Sequence, residues 1–465
     1  MEDKTSVFET MAVPKAVAQM ALPTVLSMLV TILYNMVDTY FVGQTGDPNQ
    51  VAAVSIVMPA FFILMSLGNI FGIGGGSYIS RLLGEGKSEK AKYVSSFSFY
   101  GAVAVGVVMI AVFLLGMPFI LKLIGADENT VGFAGDYLKW ISLGAPFIII
   151  SAASPNIVRS EGSAKAAMAG MMIGTVTNII LDPIMILTLN MGAAGAAIAT
   201  SIGNFVAAGY YVVYFLKSKS ILSISPKNFK MSDGVASTVF AIGIPASINN
   251  LLMTASNILM NNLLKAYGAV AIAGMGIAFK AGSLIAMLQI GIAMGIQPLV
   301  GYSYGARDFK RMKAVIRFAL ICNLVIGTVL SAMYLLFADG IVGVFIADVA
   351  VIEIGAIMLR ALMLAGPIIG VLFVCMSAFQ AMGKPISALL LSISRQGLVF
   401  APVVILGNVL FGLNGIIYAP PIADALAIFM ALALFVRINN QIKKQIQPQP
   451  EPVLPDCTPA EEPPS

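Results

Sequence analysis

Long apolar stretches alternate with short polar ones along the whole chain. Twelve apolar segments stand out, at 18–41, 52–79, 93–121, 134–156, 164–189, 193–216, 235–263, 270–302, 314–338, 350–379, 385–411 and 413–437. Each is about 20 residues or longer, the length a helix needs to cross the hydrocarbon core of a bilayer. In lipid a chain satisfies its backbone polar groups only as helix or closed barrel, and runs this long predict helix. The pattern therefore predicts an all-α, polytopic membrane protein of twelve transmembrane helices.

Composition agrees with that reading. Of 465 residues, 58% are hydrophobic and 11% charged, against about 25% charged in a soluble domain. The net charge of +5 comes from basic residues in short loops. They form no continuous stripe, so nucleic acid is not an expected partner. There is no His, which removes the commonest general base and metal ligand. Cys322, Cys375 and Cys457 are far apart and show no metal spacing; the first two lie in apolar segments and read as small hydrophobes. No nucleophile, base and stabiliser come together in sequence. Neither an enzyme nor a cofactor is expected. The first residues lack a signal-peptide pattern.

Loop charge gives the orientation. With the N-terminus inside, 21 of the 27 Lys and Arg fall in inside segments, among them Arg81, Lys87, Lys90, Lys92, Arg307, Lys310, Arg311 and Lys313. Such an asymmetry places both chain ends in the cytoplasm. The expected divisions are a cytoplasmic N-terminus (1–17), a first lobe (18–220), a linker (221–234), a second lobe (235–440) and a disordered Pro- and Glu-rich tail (441–465).

The two halves resemble each other. Pro23 answers Pro245 and Asn35 answers Asn257 at an offset of 222; Pro146 answers Pro367, and "RSEG" from Arg159 answers "QAMG" from Gln380, at 221. Two parallel six-helix repeats around a central cavity are an alternating-access design.

Two acids lie well inside the first half, Asp38 and Asp182. An Asp at the centre of a membrane helix costs roughly 3 kcal/mol, so such residues are functional by default. Measured from the outer ends of their segments, their depths agree to about 5 Å, so one site can hold both. Asn178 lies one turn before Asp182, and Thr200 begins about a turn below the outer surface. Pro183 frees a carbonyl near Ile179. Carboxylates, an amide and a free carbonyl suit a proton or a hard cation, and two close carboxyls titrate as a unit. The bland alternative for Asp182 is a structural acid at a proline break.

The sequence resembles the multidrug and toxic compound extrusion (MATE) transporters over about residues 10–440. "YNMVDTYFVG" in segment 1, "RSEG", "NIILDPIMI", "GAAGAAIAT" and "SRQGLVFAP" carry the resemblance, the last features pointing to a bacterial drug-exporter branch. The resemblance implies two lobes forming a V-shaped cavity. It implies export of amphipathic, often cationic drugs and dyes across the bacterial inner membrane, driven by inward proton or sodium flow. It places a cation site on Asp38, Asn178, Asp182 and Thr200, with Tyr34 and Asn156 as further pocket positions. Some sodium-coupled relatives carry acids in segments 7 and 10; here "ASINNLLMTASN" and "GVLFVCMSAFQ" have none, which argues against a second-lobe site of that kind. The expected partners are small amphipathic substrates and lipid, with the chain a monomer.

The second half carries Lys280, Arg395 and Asp424, each about ten residues into its segment. Charges at one depth in lipid are expected to pair, so Arg395 and Lys280 are expected to bracket Asp424, as a structural cluster or as part of the cavity. Two rivals remain at this stage. One is a flippase for lipid-linked saccharides, favoured by the two basic residues and opposed by the acidic first lobe. The other is a membrane-embedded enzyme, opposed by the missing His and the missing G-x-S-x-G. "GIGGGS" at 72–77 lacks the Lys-Ser/Thr of a phosphate loop and reads as close helix packing. Arg159 and Glu161 are a possible inside gate, or simply a helix end closed by Gly162.

Overall fold

The computed structural model describes residues 5–217 and 220–446. Lys4, Lys219, Cys457 and the tail from 447 lie outside the described residues, as does the side chain of Asn35. Among the described residues eleven helices are each long and apolar enough to cross a membrane, and a bent pair counted as one span makes twelve. The first lobe holds α1 (Val13–Gly43), α2 (Pro48–Gly84), α3 (Ser88–Leu115), α4 (Val131–Ser160), α5 (Ala164–Thr188) and α6 (Gly192–Lys217). The second holds α7 (Val235–Leu264), α8 (Ala269–Gly305), α9 (Phe309–Leu336), α10 (Val349–Met363 with Gly366–Ala381), α11 (Pro385–Phe411) and α12 (Leu413–Ile446). Twelve crossings bring the start of α1 and the end of α12 to one face, called here the terminal face; the opposite one is the far face.

Several boundaries differ from the apolar pattern. Segment 3 stops at Leu115, and Met117–Leu123 forms a short separate helix. Pro118 lacks the N–H that would continue α3. The apolar run after α9 likewise breaks into Ala338–Phe345. Segment 10 bends by 49° between Met363 and Gly366, where Pro367 restricts the residue before it and starts a new helix at its first turn. At the N-terminus a short helix, Ser6–Glu9, precedes α1. At the other end α12 continues to Ile446, so the first residues of the expected tail are helical.

The repeat is visible in the backbone. α2 and α8 are both 37 residues long, α3 and α9 both 28, and each starts 221 residues after its counterpart (269 − 48, 309 − 88). Left-handed turn residues recur in step: Gly46 with Gly268, Gly86 with Arg307, Gly162 with Gly383 and Gly192 with Gly412. Arg307 takes φ 57° where the first lobe has glycine at 73°, a strained choice for a side-chain-bearing residue. Two acids also correspond. Asp127 precedes α4 and accepts the Asn129 and Thr130 N–H groups; Asp348 caps α10 through Ala350 and Val351. Asp348 satisfies first-turn helix donors that would otherwise be orphaned, whereas Asp127 closes the turn that leads into α4.

Within the first lobe α4 is central, buried along most of its length from Ala134 to Ser160, and α2, α3 and α6 pack around it. The lobes meet through α1 against α8, α2 against α7 and α2 against α8. Small residues set these crossings. A Cβ on Gly295 would collide with Ala21, one on Gly291 with Val25, and one on Gly74 with Val239 and Gly243. Nearer the terminal face, Gly84 lies on Tyr302 and its repeat partner Gly305 on Arg81. Polar bonds tie the same region. Gln297 donates to Ser77 at 2.9 Å and Ser247 to the Ser66 carbonyl at 2.7 Å. The N-terminal segment adds a strap: Phe8 stacks on Tyr302 at 4.8 Å, Glu9 accepts from the Tyr302 hydroxyl, and Arg311 donates to the Val7 and Met11 carbonyls. All these contacts lie in the terminal half. Toward the far face Leu33, Met36 and Tyr40 of α1 and Phe279 of α8 are exposed, and the lobes part into a V-shaped cleft.

Candidate functional site

α1 and α5 pack side by side, and α5 packs on α6. That arrangement brings Tyr34, Asp38, Asn178, Asp182 and Thr200 into one pocket of the first lobe. Asp182 is fully buried, and Asp38, Asn178 and Thr200 are nearly so. The Tyr34 hydroxyl lies 3.3 Å from the Thr200 hydroxyl. The Asn178 amide is assigned by the bonds it makes: its nitrogen donates to Asp182 at 2.9 Å and its oxygen accepts the Thr200 N–H at 3.0 Å. The two carboxyls lie within electrostatic reach of each other. One oxygen of Asp38 is buried with no hydrogen-bond partner. Such a group costs about 1–3 kcal/mol if left unmet, and a carboxyl oxygen in this setting has the chemistry to accept a proton or a hard cation.

The backbone helps to build the pocket. After Pro183 the helix widens into a π turn, Ile184–Thr188, in which the Leu189 N–H reaches Ile184 and the Thr188 hydroxyl donates to the Pro183 carbonyl. Such turns re-aim side chains and recur at functional sites. Gly203 lets α6 approach α5, since a Cβ there would press on Asn178 and Gly174. One pocket member was missed by the sequence reading. Tyr137 of α4 is buried in the neighbourhood of Asp38, Tyr34 and Asp182. A tyrosine in an apolar segment carries no signal of its own.

The remaining candidates lie elsewhere. Asn156 faces away from the acids: its oxygen accepts from Arg159 at 3.2 Å, and it packs on Gly72 and Gly76 of α2. It belongs to the terminal half rather than to the acidic pocket. Glu161 accepts from Tyr214, Ser220 and the Ile221 N–H, anchoring the linker. In the second lobe Arg395 and Asp424 pair at 2.6 Å, with side chains 15% and 9% exposed. Arg395 also lies 5.2 Å from the Phe373 ring centre, and it sits on a second π turn, Ser394–Leu398. Lys280 is not part of this pair, contrary to the expected three-charge cluster. It is exposed on α8. Depth along a helix says nothing about the direction a side chain faces.

Two parallel six-helix lobes, a cleft between them and a buried acid pair define a membrane transporter architecture rather than that of an enzyme. The sequence profile of the MatE family matches residues 23–184 and again 245–406, and the chain belongs to that family. The double match is the repeat itself. The multidrug export protein MepA of Staphylococcus aureus is 34% identical over 435 residues, covering 94% of this chain and 96% of that one. A solved structure of MATE in the straight conformation has a TM-score of 0.88 at 26% identity, covering 96% of this chain and 99% of that one. A multidrug resistance MATE family transporter solved in its outward-facing conformation has a TM-score of 0.90 at 24% identity, with the same coverage; this likeness speaks to the fold.

Proposed function

We propose that the protein is a secondary antiporter exporting amphipathic, often cationic drugs and dyes by alternating access, coupled to inward proton or sodium flow at the first-lobe acids. The observation that carries the reading is the pocket of Asp38, Asp182, Asn178, Thr200 and Tyr34, with its unpartnered Asp38 oxygen. The relatives named as multidrug export proteins support the substrate class. Loop charge supports a cytoplasmic terminal face, which makes the cleft described above outward-open. The working unit is a monomer in the bacterial inner membrane.

Coupling needs an ion that binds the two states unequally. The pocket lies between α1 and the α5–α6 pair, so loading it alters how α1 seats against its own lobe. α1 also packs on α8 across the lobe interface. A change in its seating therefore biases the terminal closure. Two carboxyls carry a proton, or with Asn178, Thr200 and Tyr34 oxygens hold a sodium ion as cargo.

The test is dye efflux from cells expressing wild type or Asp182→Asn at equal membrane levels. Loss of efflux in the variant supports the reading. Normal efflux moves the coupling site elsewhere. No export of any cationic dye by wild type removes the drug-exporter reading and favours a flippase.

A further inference from the structure

Lys280 is an exposed cation about eleven residues from the far end of α8, roughly 16 Å along the axis. A lysine facing lipid at that depth is costly. The helix geometry points it elsewhere. α8 meets α1 through Gly291 and Gly295, and α2 through Gln297, Gly301 and Gly305. On a helix of 3.6 residues per turn, Lys280 falls three turns above Gly291 and within about 60° of both α1-facing glycines. The buried face of α8, with Gly274, Ala278, Ala281 and Ile285, lies about 100–160° round the helix from Lys280. Lys280 therefore faces the first lobe, at a level where the lobes have separated.

The register across the cleft follows from the same contacts. α1 and α8 run antiparallel, with Ala21 on Gly295 and Val25 on Gly291. Extending that pairing places Lys280 level with Met36, which is 56% exposed and lies three turns above Val25 on the same face. Tyr34 and Asp38 are on the opposite side of α1, where Asp38 is buried in the first lobe. The carboxylates thus lie behind α1. The cleft wall presents an ammonium beside Phe279 and opposite Met36.

We infer that Lys280 is a specificity-determining residue of the cleft, receiving the anionic group of an amphiphilic substrate whose apolar body lies against Met36 and Phe279. The inference rests on the export reading above and names the chemistry it prefers: zwitterionic amphiphiles bearing a carboxylate, in addition to cations. A carboxylate beside the ammonium gains a charge-assisted hydrogen bond. A purely cationic substrate is repelled at the same position.

A matched pair tests this, a carboxyl-bearing rhodamine zwitterion and its methyl ester. Binding of each to purified protein in nanodiscs is measured by fluorescence polarisation for wild type, Lys280→Gln and Lys280→Arg, with efflux of both followed in cells. Lys280→Gln should weaken zwitterion binding about twofold to fivefold and leave the ester unchanged or tighter, as expected of an ion pair in a water-filled site. Lys280→Arg should restore the wild-type ratio. An unchanged ratio in Lys280→Gln overturns the assignment, as does an equal loss for both dyes. If wild type binds and exports neither dye, the export reading itself fails. Export of both with an insensitive ratio removes only the role of Lys280.

Discussion

The Arg395–Asp424 pair links α11 to α12 within the second lobe, and its energetics can be worked from the geometry. The contact is 2.6 Å, with side chains 15% and 9% exposed, so solvent screens it little. Removing one partner of a buried pair leaves an uncompensated charge, at a cost of roughly 3–5 kcal/mol. Asp424→Asn strands a guanidinium that cannot lose its proton, and the residual exposure of Arg395 sets the expected loss at the lower bound, about 3 kcal/mol. Arg395→Gln strands a carboxyl that can be protonated, and should cost less, about 2 kcal/mol. The double variant has no charge to strand and should also lose about 2 kcal/mol, which leaves a coupling of about 3 kcal/mol between the sites. Helix loss on titration of the purified proteins from mild detergent into SDS, read by ellipticity, measures all three. Additive losses would show that the two residues do not pair, because independent residues add. So would single variants as stable as wild type.

Other outcomes follow from the same structure. Gly84→Ala and Gly305→Ala each drive a methyl group into the backbone of the opposite lobe, so both should loosen the terminal closure; faster thiol labelling of a Ser80→Cys reporter in the α2–α8 seam is the check, and unchanged labelling would contradict it. Phe8→Ala removes the stack on Tyr302 and should speed labelling at the same site, at a cost of about 3 kcal/mol typical of a buried phenylalanine. Thr200→Val removes the hydroxyl that meets Tyr34 while keeping the side-chain volume. It should reduce gradient-driven dye transport severalfold without lowering expression, and wild-type transport would place Thr200 outside the working pocket.

The number of crossings was legible because lipid demands about 20 apolar residues for each. The breaks in the expected third and tenth segments were not, because Gly and Pro inside an apolar run fit a kinked helix as well as a broken one. Asp38 and Asp182 could be found because a charge in an apolar run is conspicuous, and similar depth on neighbouring helices brought them together. Tyr137 was missed because tyrosine is unremarkable in such a segment. Depth alone groups Lys280 with Asp424. Its true direction needed the partners of Gly291 and Gly295, contacts between helices distant in sequence. Pro183 marked the first π turn only as a disturbance of the helix, and the second, Ser394–Leu398, contains no proline to mark it.

Coupling of ion entry to substrate export through Asp38 and Asp182, as proposed above, has a direct test. Purified wild type, Asp38→Asn and Asp182→Asn in liposomes separate coupling from passage. Each is assayed for dye accumulation driven by an imposed proton or sodium gradient, and for gradient-free exchange of labelled against unlabelled dye. Wild type should do both, and the variants should exchange dye but no longer concentrate it. Variants that concentrate dye as well as wild type would contradict coupling through these acids.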